Sequence, residues 1–386
     1  MNEIYMDNHA TTPVDPRVFE AMRPYFCERF GNAASGGHSF GRKAQEAVEG
    51  ARRQTASLIH AKPEEIVFTS GATESNNLAI KGAVEAYKGK KDRLVTVSTE
   101  HKSVLDSCKR LALSGVKVTY LPVRRDGILD VGVLRSAITR RTLFLSVMFA
   151  NNEIGVIQPI AEIGRVAGEK GVLFHCDAAQ AVGKVPVDVK AMGIDLLSFT
   201  AHKLYGPKGV GALYVRKKDP PIRLIPLLDG GGHERGMRSG TLNVPGIVGL
   251  GKACELCQRE MKPESARLAR LRDELRNGIL NKLEDCDVNG SQKSRLPHNL
   301  NVSFGGVEAQ DMIRELKGIA VSSGSACLST SPEPSYVLKA LGAPEELRRG
   351  ALRFGLGRFN TGEEVEEVVR RVVRAVKRLR KSKPSA

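Results

Sequence analysis

The chain has 386 residues, of which 41% are hydrophobic and 26% charged, with a formal net charge of +16. At ~150 residues per domain, that length suits two domains or one large domain with an appended lobe, in the composition of a globular protein. No run approaches the ~20 uncharged apolar residues that cross a bilayer, and MNEIYMDNHATTPVD has neither the basic flank nor the apolar stretch of a signal peptide.

In chain order, apolar runs of strand length recur at 66–68, 94–97, 116–123, 143–149, 172–174, 196–199 and 212–215. Between them, 44–59, 75–87 and 160–167 repeat apolar residues at helical spacing. Strand and helix in alternation predict an α/β fold, its sheet mostly parallel and covered on both faces. From about Gly246 the character changes. A long charged helical stretch at 252–283 precedes the strand candidate LPHNLNVSF, a short helix, a Gly/Ser-rich loop and a terminal helix. These form a smaller α+β lobe.

Part of the positive charge is local, because residues 363–386 hold eight Lys/Arg against four Glu. There Val365, Val368, Val369, Val372, Val373, Val376 and Leu379 recur at helical spacing, with acids leading and bases trailing as the helix dipole favours. The charge therefore reads as the solvated face of a packed amphipathic helix. With no Trp, 5% aromatics and no nucleic-acid-binding motif, nucleic acid is not the expected partner. Seven scattered cysteines predict no disulfide framework and a reducing compartment, the cytoplasm. Cys254 and Cys257 form a CxxC on a helical pattern without a second ligand pair, so neither zinc nor redox chemistry is expected of them.

Ligands of a parallel α/β sheet bind beyond the carboxyl ends of its strands, and polar residues collect there. Ser70-Gly71-Ala72-Thr73 is a small-residue turn opening a helix, either an anion site or a plain helix start. Thr99-Glu100-His101-Lys102 follows the second strand, Asn151-Asn152-Glu153 the fourth, and His175-Cys176-Asp177 with Gln180 the fifth. Thr200, His202 and Lys203 follow the sixth. Together they suit a charged, planar, phosphorylated heterocycle: a cradle for phosphate, an imidazole to stack, an acid for a ring nitrogen and a lysine to form an imine. Pyridoxal 5'-phosphate needs that set. Lys203 lies 26 residues after Asp177, one helix-plus-strand unit later, so both can face one cleft. A desolvated lysine among cations also loses its proton more easily, which suits a nucleophile and base.

The motifs run through nearly the whole chain: DNHATTPVD, FGNAASGGHSFGRKA, FTSGATESNN, TEHKSV, NNEIG, DAAQAVGK, SFTAHKLYGPKG, GGGHERGMRSGT, HNLNVSF, SSGSAC and LRFGLGRF. In that order they closely resemble the cysteine desulfurases of the NifS/IscS type, pyridoxal-phosphate enzymes of the class-V aminotransferase family with the aspartate-aminotransferase-like fold type I. The resemblance implies a large domain with a mostly parallel seven-stranded sheet (15–255), and a small domain (1–14 and 256–386) carrying a catalytic loop at about 322–335. It implies that Lys203 holds the cofactor's aldehyde and that Ala72, Thr73, Thr200 and His202 cradle its phosphate, with Thr241 reaching it from the other subunit of a homodimer. Asp177 would pair with the ring nitrogen, Asn152 and Gln180 would contact the ring hydroxyl, and His101 would stack on the ring and shuttle protons. Arg353, with Asn32, would bind the substrate carboxylate.

Cys327 turns this apparatus toward sulfur. It stands among glycine and small polar residues that predict an exposed, mobile loop. The implied reaction removes sulfur from L-cysteine, giving L-alanine and a persulfide on Cys327. The sulfur then passes to an iron–sulfur scaffold of the IscU type or to a relay for tRNA thiolation. A selenocysteine or C–S lyase would share the cofactor apparatus. A non-catalytic scaffold-binding homologue would use Cys327 as a shared 2Fe–2S ligand, and an RNA-binding protein would use the basic tail. Three positions depart from the family's usual residues: Ala33 stands for Pro, Gly355 for a Ser near Arg353, and Thr200 for Ser.

Overall fold

A computed structural model describes residues 3–89, 91–323 and 335–382. Its main sheet holds β1 (Ile66–Thr69), β2 (Arg93–Val97), β3 (Lys117–Leu121), β4 (Thr142–Ser146), β5 (Leu173–Asp177), β6 (Leu196–Thr200) and β7 (Gly211–Val215). The spatial order is β1-β7-β6-β5-β4-β2-β3. Neighbours pair in parallel from β3 through to β6, and β7 runs antiparallel to both β6 and β1. Each expected apolar run supplies one strand of this sheet, although 116–123 and 143–149 extend past the strands they contain. β1, β4 and β6 are buried along their whole length, whereas the edge strand β3 is largely exposed. That is the signature of a parallel sheet sandwiched between helices.

The second sheet is antiparallel: β8 (Cys286–Val288), β9 (Asn299–Phe304), β10 (Ser322–Ser323) and β11 (Ala351–Gly355), in the order β10-β11-β9-β8. The N-terminal residues Ile4 and Tyr5 pair in parallel with Ile319 and Ala320. The chain then runs beside β11, where Asn8 N–H donates to the Gly355 carbonyl at 3.0 Å. The terminal helix, Gly362–Ser382, buries Val365, Val368, Val369, Val372 and Val376 as its pattern predicts.

Two large buried clusters divide along one helix of 37 residues, Val244–Leu280. Its first half, through Cys257, joins the core under the main sheet, and from Leu268 it joins the core of the second lobe. The helix is continuous through 255–256 and begins at Val244, before the charged stretch from which it was expected. Glycines obscured that start. A Cβ on Gly249 would lie 2.5 Å from Met22 Sδ, and one on Gly251 would lie 2.6 Å from Ala51 Cα. Close packing requires both glycines, Gly249 against Met22 of helix Pro16–Met22 and Gly251 against Ser39–Leu58, and it outweighs their poor helix propensity. The helix expected at 75–87 starts earlier too, at Ala72, and contains a π turn at Leu78–Gly82.

Candidate active site

The carboxyl ends of the parallel strands, capped by residues 9–11 and β11, enclose a cavity of about 800 Å³. After β1, the helix beginning at Ala72 has no side-chain cap. Its first N–H groups, with Ala72 and Thr73 on the cavity wall, are therefore available to an anion. Glu74 also lines this wall and is held by Arg238 at 2.9 Å.

After β2, His101 caps the helix Lys102–Leu113. Its Nδ1 accepts from Ser103 N–H at 3.2 Å, so a neutral ring carries its proton on Nε2. Ser103 Oγ accepts from Asn76 Nδ2 at 2.9 Å, and the same amide donates to Asp177 Oδ2 at 2.7 Å. Asp177 Oδ1 accepts from Ala179 N–H at 3.0 Å. The carboxylate at the end of β5 is thus buried but satisfied on both oxygens. Glu100, buried nearby, is pushed well above the usual carboxyl range by burial and by the Asp177 charge.

At the end of β6, Thr200 Oγ1 donates to the Val210 carbonyl at 3.2 Å, and just beyond it His202 Nδ1 meets Thr11 Oγ1 at 3.2 Å. Burial, then Lys203 and Lys208, lowers the His202 pKa to about 4, so the ring is neutral near pH 7. Lys203 Nζ donates to the carbonyls of His9 and Ala10, the latter at 2.6 Å.

Arg353 comes from the other sheet, in the middle of β11. Its Nη2 meets Asp7 Oδ1 at 2.7 Å and its Nη1 donates to the Asn152 carbonyl at 2.9 Å. Two atoms of cavity-lining residues, Asn152 Oδ1 and Arg353 Nε, are buried without a hydrogen-bond partner among the described residues. Buried polar atoms are rarely left so, and here they mark where a polar ligand fits. Glu153 lies beside them. Burial raises its pKa to about 7, while Ser335 Oγ donates to it at 2.5 Å and Arg353, His101 and Lys102 oppose the rise.

Residues 4–368 match the family model for class-V aminotransferases. The chain belongs to that family. A relative from Anaeromyxobacter dehalogenans (strain 2CP-C), named cysteine desulfurase IscS, is 58% identical over 381 residues, covering 99% of this chain and 94% of its own. One of the same name from Rickettsia conorii (strain ATCC VR-613 / Malish 7) is 54% identical, covering 99% and 93%. Among solved structures, a NifS-like protein superposes with a TM-score of 0.91 at 37% identity, covering 97% of this chain and 99% of that one. SspA in complex with cysteine superposes at 0.82 and 39% identity, covering 93% and 100%.

In this class-V aminotransferase, Ala72, Thr73, His101, Asn152, Asp177, Gln180, Thr200, His202, Lys203 and Arg353 all line the one cavity. Asn32 and Thr241 do not. Both are exposed, and Asn32 Oδ1 accepts from Ala34 N–H at 2.9 Å. Cys327 lies outside the described residues. His175 and Cys176, read as following a strand, belong to β5 itself. Two serine hydroxyls, from Ser146 and Ser198, hold the His175 ring, and burial lowers its pKa to about 3. Cys254 and Cys257 are buried in the core, which raises both thiols. Sequence reasoning assigned no role to His9, Asn76, Ser103 or Tyr336, although DNHATTPVD, FTSGATESNN and TEHKSV contain the first three.

Proposed function

We propose that this class-V aminotransferase is a cytoplasmic cysteine desulfurase dependent on pyridoxal 5'-phosphate. The observation that carries the reading is a cavity gathering Lys203, Asp177, His101 and Arg353 in a chain 58% identical, over 99% of its length, to a protein of that activity. Among the described residues, no helix is long and apolar enough to cross a membrane.

The uncapped helix start, Thr200 and His202 would hold a phosphate, Asp177 a ring nitrogen, His101 a ring face, and Lys203 the aldehyde carbon. Once bound, the group supplies an electron sink for charge developing at the substrate's Cα. Arg353 receives the substrate carboxylate through a planar fork of donors. Lys203 Nζ takes the proton from Cα, and the two main-chain carbonyls it already contacts orient it for that task. His101 holds a proton at Nε2 for delivery within the cavity. The Cys327 thiolate attacks the substrate sulfur, so an S–S bond forms as the Cβ–S bond breaks. One L-cysteine and one thiol become L-alanine and a persulfide. Thr241 is proposed to complete the phosphate site of a partner subunit in a homodimer, and Asn32 to assist Arg353. The persulfide goes to an iron–sulfur scaffold or another sulfur acceptor.

The test is direct. Recombinant protein supplied with pyridoxal phosphate should turn yellow and release stoichiometric alanine and sulfide from L-cysteine with a thiol reductant. Cys327→Ala should keep the colour and its response to cysteine but form no persulfide. Undiminished alanine output by that variant, or turnover of selenocysteine alone, would overturn the assignment.

A further inference from the structure

His9 is the least expected residue around the cavity. It is buried, and its side chain sits between two amides whose orientations are set by other partners. The Gln180 amide nitrogen donates to the His9 carbonyl at 3.0 Å, which leaves Gln180 Oε1 facing His9 Nδ1 at 2.9 Å. On the other side, the Asn299 amide nitrogen donates to the Glu153 carbonyl at 3.1 Å while Asn299 Oδ1 accepts from Arg295 at 2.9 Å. The nitrogen of that amide therefore faces His9 Nε2, at 3.1 Å. An acceptor on Nδ1 and a donor on Nε2 admit one form of the ring, neutral with its proton on Nδ1. Charging it would set an N–H against the Asn299 N–H. His298 stacks on the ring at 4.4 Å, and the cations facing it are Arg353, Lys203 and Lys184. Burial and Arg353 lower the pKa of His9 well below the ordinary histidine value, in agreement with the hydrogen-bond pattern.

We propose that His9 is a positioning residue that clamps the Gln180 amide, ring to Oε1 and carbonyl to Nε2, so that Gln180 offers the cavity an N–H donor. This rests on the pyridoxal-phosphate reading, in which the group facing Gln180 is the phenolic oxygen of the ring. A fixed donor there favours the oxygen as an anion. Without the ring only the carbonyl half of the clamp remains, Oε1 loses its donor, and the preference for turning the N–H inward is weakened. Gly355 belongs to the same device. A Cβ at 355 would lie 2.8 Å from His9 Cδ2 and 2.9 Å from His9 N. Gly355 is therefore what lets the backbone and ring of residue 9 approach β11 this closely.

The experiment reads the pH midpoint of the yellow chromophore in protein reconstituted with pyridoxal phosphate. A hydrogen bond to the anionic oxygen lowers that midpoint, so His9→Leu should raise it by about one pH unit, the size of one charge-assisted bond. His9→Asn, which keeps a donor, should restore the wild-type value. In a Gln180→Ala background, His9→Leu should add nothing. An unchanged midpoint in His9→Leu, or shifts that add in the double variant, would overturn the proposal by reducing His9 to packing. Should the variants not fold, ¹⁵N-imidazole NMR of the wild-type protein should find His9 neutral and Nδ1-protonated between about pH 6 and pH 9. A titrating or Nε2-protonated ring would overturn the proposal equally. A wild-type protein that takes up no pyridoxal phosphate would sink the cofactor reading, and the ¹⁵N spectrum would still decide the state of His9.

Discussion

The two sheets supply the cavity in different ways. The main sheet contributes from its strand ends, where Thr73, His101, Asn152, Asp177 and Lys203 lie at the carboxyl ends of β1, β2, β4, β5 and β6. The antiparallel sheet contributes Arg353 from the middle of β11. The reason is topological. Helical crossovers return every parallel strand in one direction, so the loops following those strands open on one edge. Antiparallel strands alternate direction, so their ends divide between two edges, and here the contribution comes from a strand face. The strand ends therefore suit chemistry that needs many converging groups, and the strand face suits a single firmly held recognition group.

The largest expected effect tests the first half of that contrast. Lys203→Ala should abolish both alanine production and the borohydride-trapped cofactor adduct, mapped by peptide mass. An adduct persisting elsewhere would remove the strand ends from the chemistry. Arg353→Ala should instead raise KM, lowering kcat/KM roughly 100-fold, or about 3 kcal/mol, with kcat little changed. A loss confined to kcat would break the division between chemistry and recognition.

Glu153, between the sheets, sharpens it. A carboxyl held near pH 7 in the fold but near 4.5 when unfolded contributes stability that is complete below about 4.5 and lost as pH rises through about 7. Glu153→Gln should therefore melt progressively higher than wild type across that window, by on the order of 2 kcal/mol at its alkaline end. A difference that does not vary with pH would show that the carboxyl is not titrating there. The smallest effects belong to the terminal helix. Val372→Ala, at a fully buried position, should cost about 1–2 kcal/mol of stability, whereas Arg374→Gln on the exposed face should stay within about 0.5 kcal/mol. Thermal melts at one pH would check both.

Much of this architecture was legible because its signals are local. Five strands of the main sheet are apolar runs that end in a polar cluster, and the terminal helix repeats valine at helical spacing. The start of the long helix was not legible, since Gly249 and Gly251 are poor helix formers and their reason appears only when Met22 and helix Ser39–Leu58 are laid against them. His9 was hidden for a related reason. Its ring partners, Gln180 and Asn299, lie 171 and 290 residues away. The link through Asn76 and Ser103 likewise joins residues from three crossovers.

By itself, the order of residues determined the strands, the helices between them and the nine cavity residues that cluster at strand ends, because periodicity and strand termination act over a few neighbouring positions. Only the tertiary structure decided which polar atoms are already satisfied, which are left for a ligand, and why position 355 beside His9 has no room for a Cβ. Those outcomes depend on atoms brought within about 3 Å from distant parts of the chain, where hydrogen-bond geometry and steric exclusion operate.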